Sequence, residues 1–352
     1  MAEIEIFGAG IFGLTVAWHL HRRGAKIRVI EKRQVGAGAS GGVVGALAPH
    51  TPDNWNAKKQ FQFESLIANG PFWAEIDTIS GLSSGYGQTG RLVALDDQRE
   101  VRLAQERHEN AKSLWRGHAE WLTRPAADFA GWGPSSTTGQ IAHDTLSARI
   151  LPKAACASLA QALRQEGVEI LEGQTCGKGG DLRIDCTGYE GLESLSQELD
   201  LPFGSGVKGQ GLLVAHDAAD MPQIYAGGLH IIPHADGTTA IGSTSESQWS
   251  DPVATDRHLA EIHRRAALIC PALAGKQVLA RWAGVRPRGR RRAPILGRHP
   301  ANPNHFIANG GFKIGFGVAV RVGQLMADLV LDGVADIPDQ FTVAANLRRK
   351  WP

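Results

Sequence analysis

Apolar and polar positions along the chain alternate between two textures: short apolar runs stopped by glycine, and longer stretches whose apolar residues recur at the spacing of one helical face. The first run, Ile4 to Phe7, leads into a helical pattern through Leu14, Ala17, Trp18 and Leu20, then into a second run from Ile27 to Ile30. Residues 56–80 read as a long helix, 89–96 as a strand, 97–116 as a charged helix and 132–140 as loop. A helix followed by a strand occupies 151–173, and a strand ending in a glycine turn occupies 181–191; these two strands would extend a parallel sheet begun at the N-terminus. From about 206 to 250 the pattern becomes strand-like, at 209–216, 228–237 and 238–246, with a His-Ala-Asp-Gly turn at 234–237 that reads as an antiparallel hairpin. A helix follows at 255–269. After an arginine-rich stretch at 281–300 that reads as a loop come an apolar strand, a glycine turn and an amphipathic helix from Val318 to Leu331.

The first of these units carries chemistry. Gly8, Gly10 and Gly13 stand in GxGxxG spacing between the strand and the helix, and Glu31 ends the second strand. Gly8 suits a tight turn, Gly10 lets a pyrophosphate approach the backbone, and Gly13 lets the helix pack closely on the strand. The helix N-terminus offers unpaired N–H groups to phosphate, and Glu31 can accept hydrogen bonds from the ribose hydroxyls. This combination predicts a dinucleotide site. A second small-residue run from Gly36 to His50, in which Ser40, Gly41 and Gly42 bring amides and a hydroxyl together, implies a second length of cofactor. At the far end Gly310, Gly311, Gly315 and Gly317 precede the last helix, whose N-terminus suits the negative charge of a reduced flavin. A chain that returns at its end to complete the site fits FAD better than a compact NAD unit.

The predicted fold class is α/β, α+β overall. A discontinuous Rossmann-like FAD-binding domain (1–80, 145–205 and 280–352) would carry an inserted antiparallel-sheet substrate domain (81–144 and 206–279), with the substrate pocket between them. Composition narrows the partners. In 352 residues, 37 Lys plus Arg against 35 Asp plus Glu leave a net charge of +2, which argues against a nucleic-acid partner. The four cysteines, Cys156, Cys176, Cys186 and Cys270, lie too far apart for a zinc or disulfide framework, and no metal site is expected. No basic and apolar leader and no apolar run long enough to span a bilayer is present, so a cytoplasmic location is expected.

The order of these segments, with "TGRLVAL", "DCTGYEG", "IIPHADGTTAIGSTSE", "WAGVRP", "PILGRHP" and "NGGFKIGFGVA", resembles the D-amino-acid-oxidase-like family of FAD-dependent amine oxidases, and within it the glycine oxidases. The resemblance covers nearly the whole chain. It implies FAD, oxidation of a C–N bond to an imine that water hydrolyses, and reduction of O2 to hydrogen peroxide, with a small amino acid or amine as substrate. No cysteine follows Cys270 near the "AGVRP" segment, where sarcosine-oxidase-like members attach their flavin, so noncovalent FAD is implied. The stretch from Gly45 to Phe61 also resembles the oxidase half of the bifunctional tRNA wobble-uridine-modifying enzyme, which leaves a modified tRNA base or another large anionic amine as the alternative substrate. The oligomeric state is left open.

The resemblance also assigns residues. FAD contacts are expected at Gly8, Gly10, Ile11, Phe12 and Gly13; at Glu31 and Lys32; at Ala39, Ser40, Gly41 and Gly42; at Cys176, Thr187 and Gly188; at Arg286; and at Gly311, Phe312, Lys313, Ile314, Gly315, Phe316 and Gly317. Arg286 falls at the carboxylate-binding position, where a guanidinium makes a bidentate pair. Lys313 stands where the glycine oxidases have an arginine near the substrate carboxylate and can share that anion with Arg286; His230 stands where they have a substrate-contacting tyrosine and Ser245 where they have a methionine. His50 is placed close to the flavin ring. The three departures point to a larger or more polar substrate than glycine, and the cluster Arg290 to Arg292 reads as a solvated turn, with an anionic partner as the alternative.

Overall fold

The N-terminal pattern folds into a parallel unit. A computed structural model describes residues 3–348, so the outer ends of the expected cofactor domain, 1–2 and 349–352, lie outside the described residues. Strands β1 (Glu3–Phe7) and β2 (Lys26–Glu31) run parallel with Ile6 opposite Val29, joined by α1 (Ile11–Arg22). As the pattern predicts, β8 (Glu169–Glu172) adds to β2 and β9 (Leu182–Asp185) adds to β1, both parallel. β16 (His305–Asn309) pairs parallel with β9, and β15 (Ile295–Arg298) closes the edge antiparallel, for a six-stranded order β15-β16-β9-β1-β2-β8.

The core of this unit is shared with α1, α2 (Ala57–Ser80), α4 (Pro152–Gln165) and α7 (Gly315–Leu331). Helix α7 lies directly on α1, and a Cβ at Gly323 would come 2.6 Å from both the Thr15 carbonyl oxygen and the His19 ring. α7 starts at Gly315 rather than at Val318, because Val318 N already donates to Ile314 O at 3.1 Å and closes the first turn around the two glycines. α5 (Gly188–Glu198) follows β9, and α8 (Val343–Leu347) packs near β15.

The second sheet has eight strands: β14 (Val278–Gly289), β10 (Gly204–Ala215), β13 (Thr238–Gly242), β12 (Leu229–Pro233), β11 (Gln223–Ala226), β4 (Arg91–Leu95), β6 (Gln140–Asp144) and β5 (Trp121–Pro125), in that spatial order. The hairpin at 234–237 forms as predicted, with Gly237 at φ 80°. The sheet is antiparallel except where β11 meets β4 in parallel. It is flanked by α3 (Gln98–Leu114) on β5 and α6 (His258–Ile269) on β10, while β3 (Ala46–Leu47) and β7 (Ala148–Arg149) form a separate ribbon.

The arginine-rich stretch departs most from expectation. Residues 278–289 form the long strand β14 and 295–298 form β15, so only Arg290 to Ala293 and their neighbours make a turn, with Arg292 at φ 53°. β14 runs unbroken through residue 280 and belongs wholly to the eight-stranded sheet. Its Pro287 has no N–H to give and is tolerated because β14 is an edge strand.

One cross-strand row on this sheet governs the site. Trp282 stands opposite Gly211, Gly211 opposite Gly242, Gly242 opposite His230, and His230 opposite Tyr225. Because side chains alternate along a strand, Gly284 and Arg286 share the face of Trp282. The two glycines leave bare backbone between the aromatic rings, and residues 43–44 lie on it: a Cβ at Gly242 would come 2.6 Å from Val44 Cγ2.

Candidate active site

The glycine turn between β1 and α1 is built for close approach. Gly8, at φ 101°, passes so near the end of β9 that a Cβ would come 2.5 Å from the Cys186 carbonyl oxygen. α1 begins at Gly10 with no side-chain cap, and Ile11 N donates to Ser40 Oγ at 3.0 Å, which ties the small-residue loop to the helix end. Glu31 is buried, and its two oxygens accept from Ala9 N at 2.8 Å and Arg33 N at 2.9 Å. Each carboxylate oxygen can accept more than one hydrogen bond, so Glu31 keeps capacity for a ribose diol.

A cleft of about 660 Å³ runs from this turn, between the two sheets, to the N-terminus of α7. It lies within the volume typical of small-molecule sites. Gly8, Gly10, Ile11, Phe12, Glu31, Lys32, Ala39, Ser40, Gly42, Thr187 and Gly188 line it, and so do all seven residues from Gly311 to Gly317. Lys32 is ion-paired with Glu190 at the rim. Three expected contacts do not line the cleft. Gly13 lies inside α1 with its Cα against Gly8 O, where a Cβ would overlap at 1.8 Å, and Gly41 packs on Gly36 O. Cys176 is exposed, while its neighbours Gln174 and Thr175 face the cleft.

Of the residues expected around the substrate, Arg286, Lys313, His230 and His50 line the same cleft. Ser245 does not, because the chain leaves β13 after Gly242 and the side that faces the cleft is taken by Ser243. Arg286 donates from Nη1 to Ser243 Oγ at 2.7 Å and from Nη2 to the carbonyls of Thr244 at 2.7 Å and Lys208 at 3.2 Å. A guanidinium has five donors, so Nε and one N–H of Nη1 remain, and Nε is buried without a partner. The guanidinium lies flat on Gly209, where a Cβ would come 2.5 Å from Nη2. Burial pushes its pKa down to about 10, against the opposing charge of Glu246.

Sequence reasoning passed over four further residues that shape this end. Tyr225 packs on His230 with ring centroids 4.7 Å apart and the rings tilted by 43°, and Trp282 folds over Gly284 toward Gly42. Gln62 accepts from His50 N at 2.8 Å, touches the His50 ring through the same oxygen, and donates to Ala48 O at 3.1 Å. Arg91 is buried and ion-paired with Asp144 at 2.8 Å. Its signal was visible as one arginine in the otherwise apolar strand "RLVAL". The cluster of Glu246, Asp256 and His258 stands outside the cleft, where both carboxylates accept from Gln210 Nε2, at 3.0 and 2.9 Å.

Burial, together with the charges of Arg91 and Lys313, pushes the His230 pKa down to about 3, and burial takes His19 to about 4. Both rings are therefore neutral in the folded protein at pH 7 and take up protons only when it unfolds. Folded pKa values below the unfolded value near 6.5 mean stability that is present above pH 6.5 and is lost as pH falls toward 3. The urea midpoint is expected to drop between pH 7 and pH 4.5, and less so in a His230→Gln variant, whose side chain does not titrate.

Fold and cleft together are those of a dinucleotide-dependent oxidoreductase: a mostly parallel sheet and a mostly antiparallel one with an extended cleft between them. A sequence profile described as FAD dependent oxidoreductase matches residues 3–329, and the chain belongs to this family of FAD-dependent flavoproteins. It is 24% identical to the glycine oxidase of Bacillus licheniformis, covering 93% of this chain and 92% of that one. It is 26% identical to the bifunctional protein ThiO/ThiG of a Nostoc strain, where 95% of this chain matches 53% of the longer relative. In structure it superposes on glycine oxidase from Geobacillus kaustophilus with a TM-score of 0.82 at 20% identity over the whole of both chains. Iminodiacetate oxidase from a Chelativorans strain gives 0.80 at 22% identity, covering 96% of this chain and 98% of that one. No helix among the described residues is long and apolar enough to cross a membrane.

Proposed function

We propose that the protein oxidises the C–N bond of an amino acid or related amine, losing two electrons and two protons to give an imine that water hydrolyses to a carbonyl compound and the free amine. Dioxygen takes the two electrons and two protons and leaves as hydrogen peroxide. The observation that carries this reading is Arg286, with two N–H donors unspent inside the cleft beside the α7 glycine turn. The names of the glycine oxidase relatives support an amino-acid substrate.

Bound FAD supplies the two-electron acceptor, and the protein's part is to place the reacting carbon. The uncapped N-terminus of α1, Ser40 and Glu31 hold the adenosine and phosphate end, and the six-stranded sheet is the cofactor-binding unit. The uncapped N-terminus of α7, on the same cleft, would hold the other end of the cofactor. Noncovalent attachment fits the thiol that lines the cleft: burial, and then Asp185, push the Cys186 pKa up and keep it protonated. On the eight-stranded sheet, Arg286 grips the substrate carboxylate and turns the Cα–H toward the flavin. Neutral His230 and the Gln62-held His50 offer hydrogen bonds without adding charge.

Anaerobic mixing of the holoprotein with glycine, sarcosine and a panel of amino acids tests the reading. At least one is expected to bleach the flavin, and air should then restore the colour with release of peroxide. If no amine in the panel bleaches it, the assignment fails.

A further inference from the structure

The two ends of the cleft differ in charge. Its acidic lining residues are Glu31 and Glu190, both at the end that faces β2 and α5, and there Lys32 answers Glu190. The substrate end is lined by Arg91, Arg286 and Lys313, with no carboxylate among the lining residues. The sheet explains why these groups converge. Arg286 projects from β14 on the face of Trp282, His230 stands in the same cross-strand row, and Arg91 stands opposite Gln223, two residues before Tyr225 on β11. Lys313 reaches the same space from the turn before α7, close enough for its charge, with that of Arg91, to press on His230.

Existing contacts use only part of this positive charge. Arg91 pairs with Asp144 through Nε alone, and the second oxygen of Asp144 is taken by Ser147 N at 2.8 Å. Among the described residues, neither Nη atom of Arg91 has a hydrogen-bond partner. Lys313 has none beyond the Phe312 ring, 5.8 Å from Nζ. Positive charge brought together in a half-buried cleft is costly until an anion joins it. One substrate carboxylate on Arg286 leaves Lys313 and the Arg91 fork unanswered.

Resting on the amine-oxidase reading above, we infer that the substrate carries a second carboxylate, bound by Lys313 and the free Nη edge of Arg91 beside His230. The substrate class is an amino acid or secondary amine with two carboxylates. Neutral His230 and Tyr225 line the same cleft and accommodate a polar chain rather than an apolar one.

The test uses FAD-loaded protein and ligands that cannot be oxidised, at fixed ionic strength, reading the shift of the flavin absorbance. Propionate is compared with malonate, and butyrate with succinate. In parallel, sarcosine is compared with iminodiacetate, which replaces its methyl group by carboxymethyl, as a substrate in anaerobic bleaching. Each dicarboxylate is expected to bind at least about tenfold more tightly than its monocarboxylate partner, equivalent to about 1.4 kcal/mol. That preference should fall to within about threefold in Lys313→Gln and persist in Lys313→Arg. Arg91→Lys, which keeps the ion pair with Asp144 but loses the fork, is expected to weaken it as well.

A wild-type preference near one overturns the inference, as does a preference unchanged in both Lys313→Gln and Arg91→Lys. If monocarboxylates still shift the flavin and sarcosine still bleaches it, only the second anion site is lost and the amine-oxidase reading stands. If no carboxylate shifts the flavin and no amine bleaches it, the amine-oxidase reading fails and takes this inference with it.

Discussion

Replacing Arg286 by alanine is expected to raise the Michaelis constant on the order of a hundredfold while the protein keeps its flavin colour. Two charge-assisted hydrogen bonds to a carboxylate are lost, each worth about 1.5–3 kcal/mol. The carbonyls of Thr244 and Lys208 also lose a donor, but that of Lys208 still accepts from Glu246 N at 2.9 Å. Arg286 is only one of the expected flavin contacts, and α1, Glu31 and the α7 turn are fixed by their own packing. Arg286→Lys keeps the charge without the fork and should recover only part of the loss. Steady-state kinetics against flavin content separates the two effects. An unchanged Michaelis constant would remove Arg286 from the substrate site, and a colourless Arg286→Ala protein would make it a cofactor residue instead.

The second large effect is expected at Glu31. Alanine there removes the acceptor for the ribose hydroxyls and also strands Ala9 N and Arg33 N, which both donate to this carboxylate. Each orphaned buried donor costs about 1–3 kcal/mol of stability, so the apoprotein should melt earlier, and loss of the acceptor for the ribose hydroxyls should lower FAD affinity on the order of a hundredfold. Glu31→Gln keeps the shape and one acceptor oxygen. It should therefore stay folded, lose less affinity, and regain turnover when FAD is added in excess. Titration of the apoprotein with FAD checks this; equal affinity in wild type and Glu31→Ala would show that the carboxylate only braces the turn.

Local grammar made the cofactor end readable. Gly8, Gly10, Gly13 and Glu31 lie within one strand-helix-strand unit, and the glycines before α7 sit beside the helix they introduce, so spacing alone locates them. The substrate end comes from pairing between distant strands, which spacing does not record. Arg91 on β4 reaches His230 on β12 only because β11 pairs with both. Tyr225 fills the wall beside His230 from the opposite strand, although the resemblance drew attention to His230 alone. β14 was hidden by its own composition, since arginines and a proline mask the alternation of Trp282, Gly284 and Arg286 with the buried Ala283 and Val285. Ser245 misses the cleft because the alternation that holds inside β13 ends with the strand.

The meeting of α1 and α7 through Gly323 also governs the order of events in synthesis. Residues 11–22 leave the ribosome early, yet the surface they rest on and the far wall of the cofactor cleft are made from residues 305–331. A nascent chain therefore carries the GxGxxG turn long before it has anywhere to seat a flavin. Cofactor loading is expected only after residues 305–331 have been made.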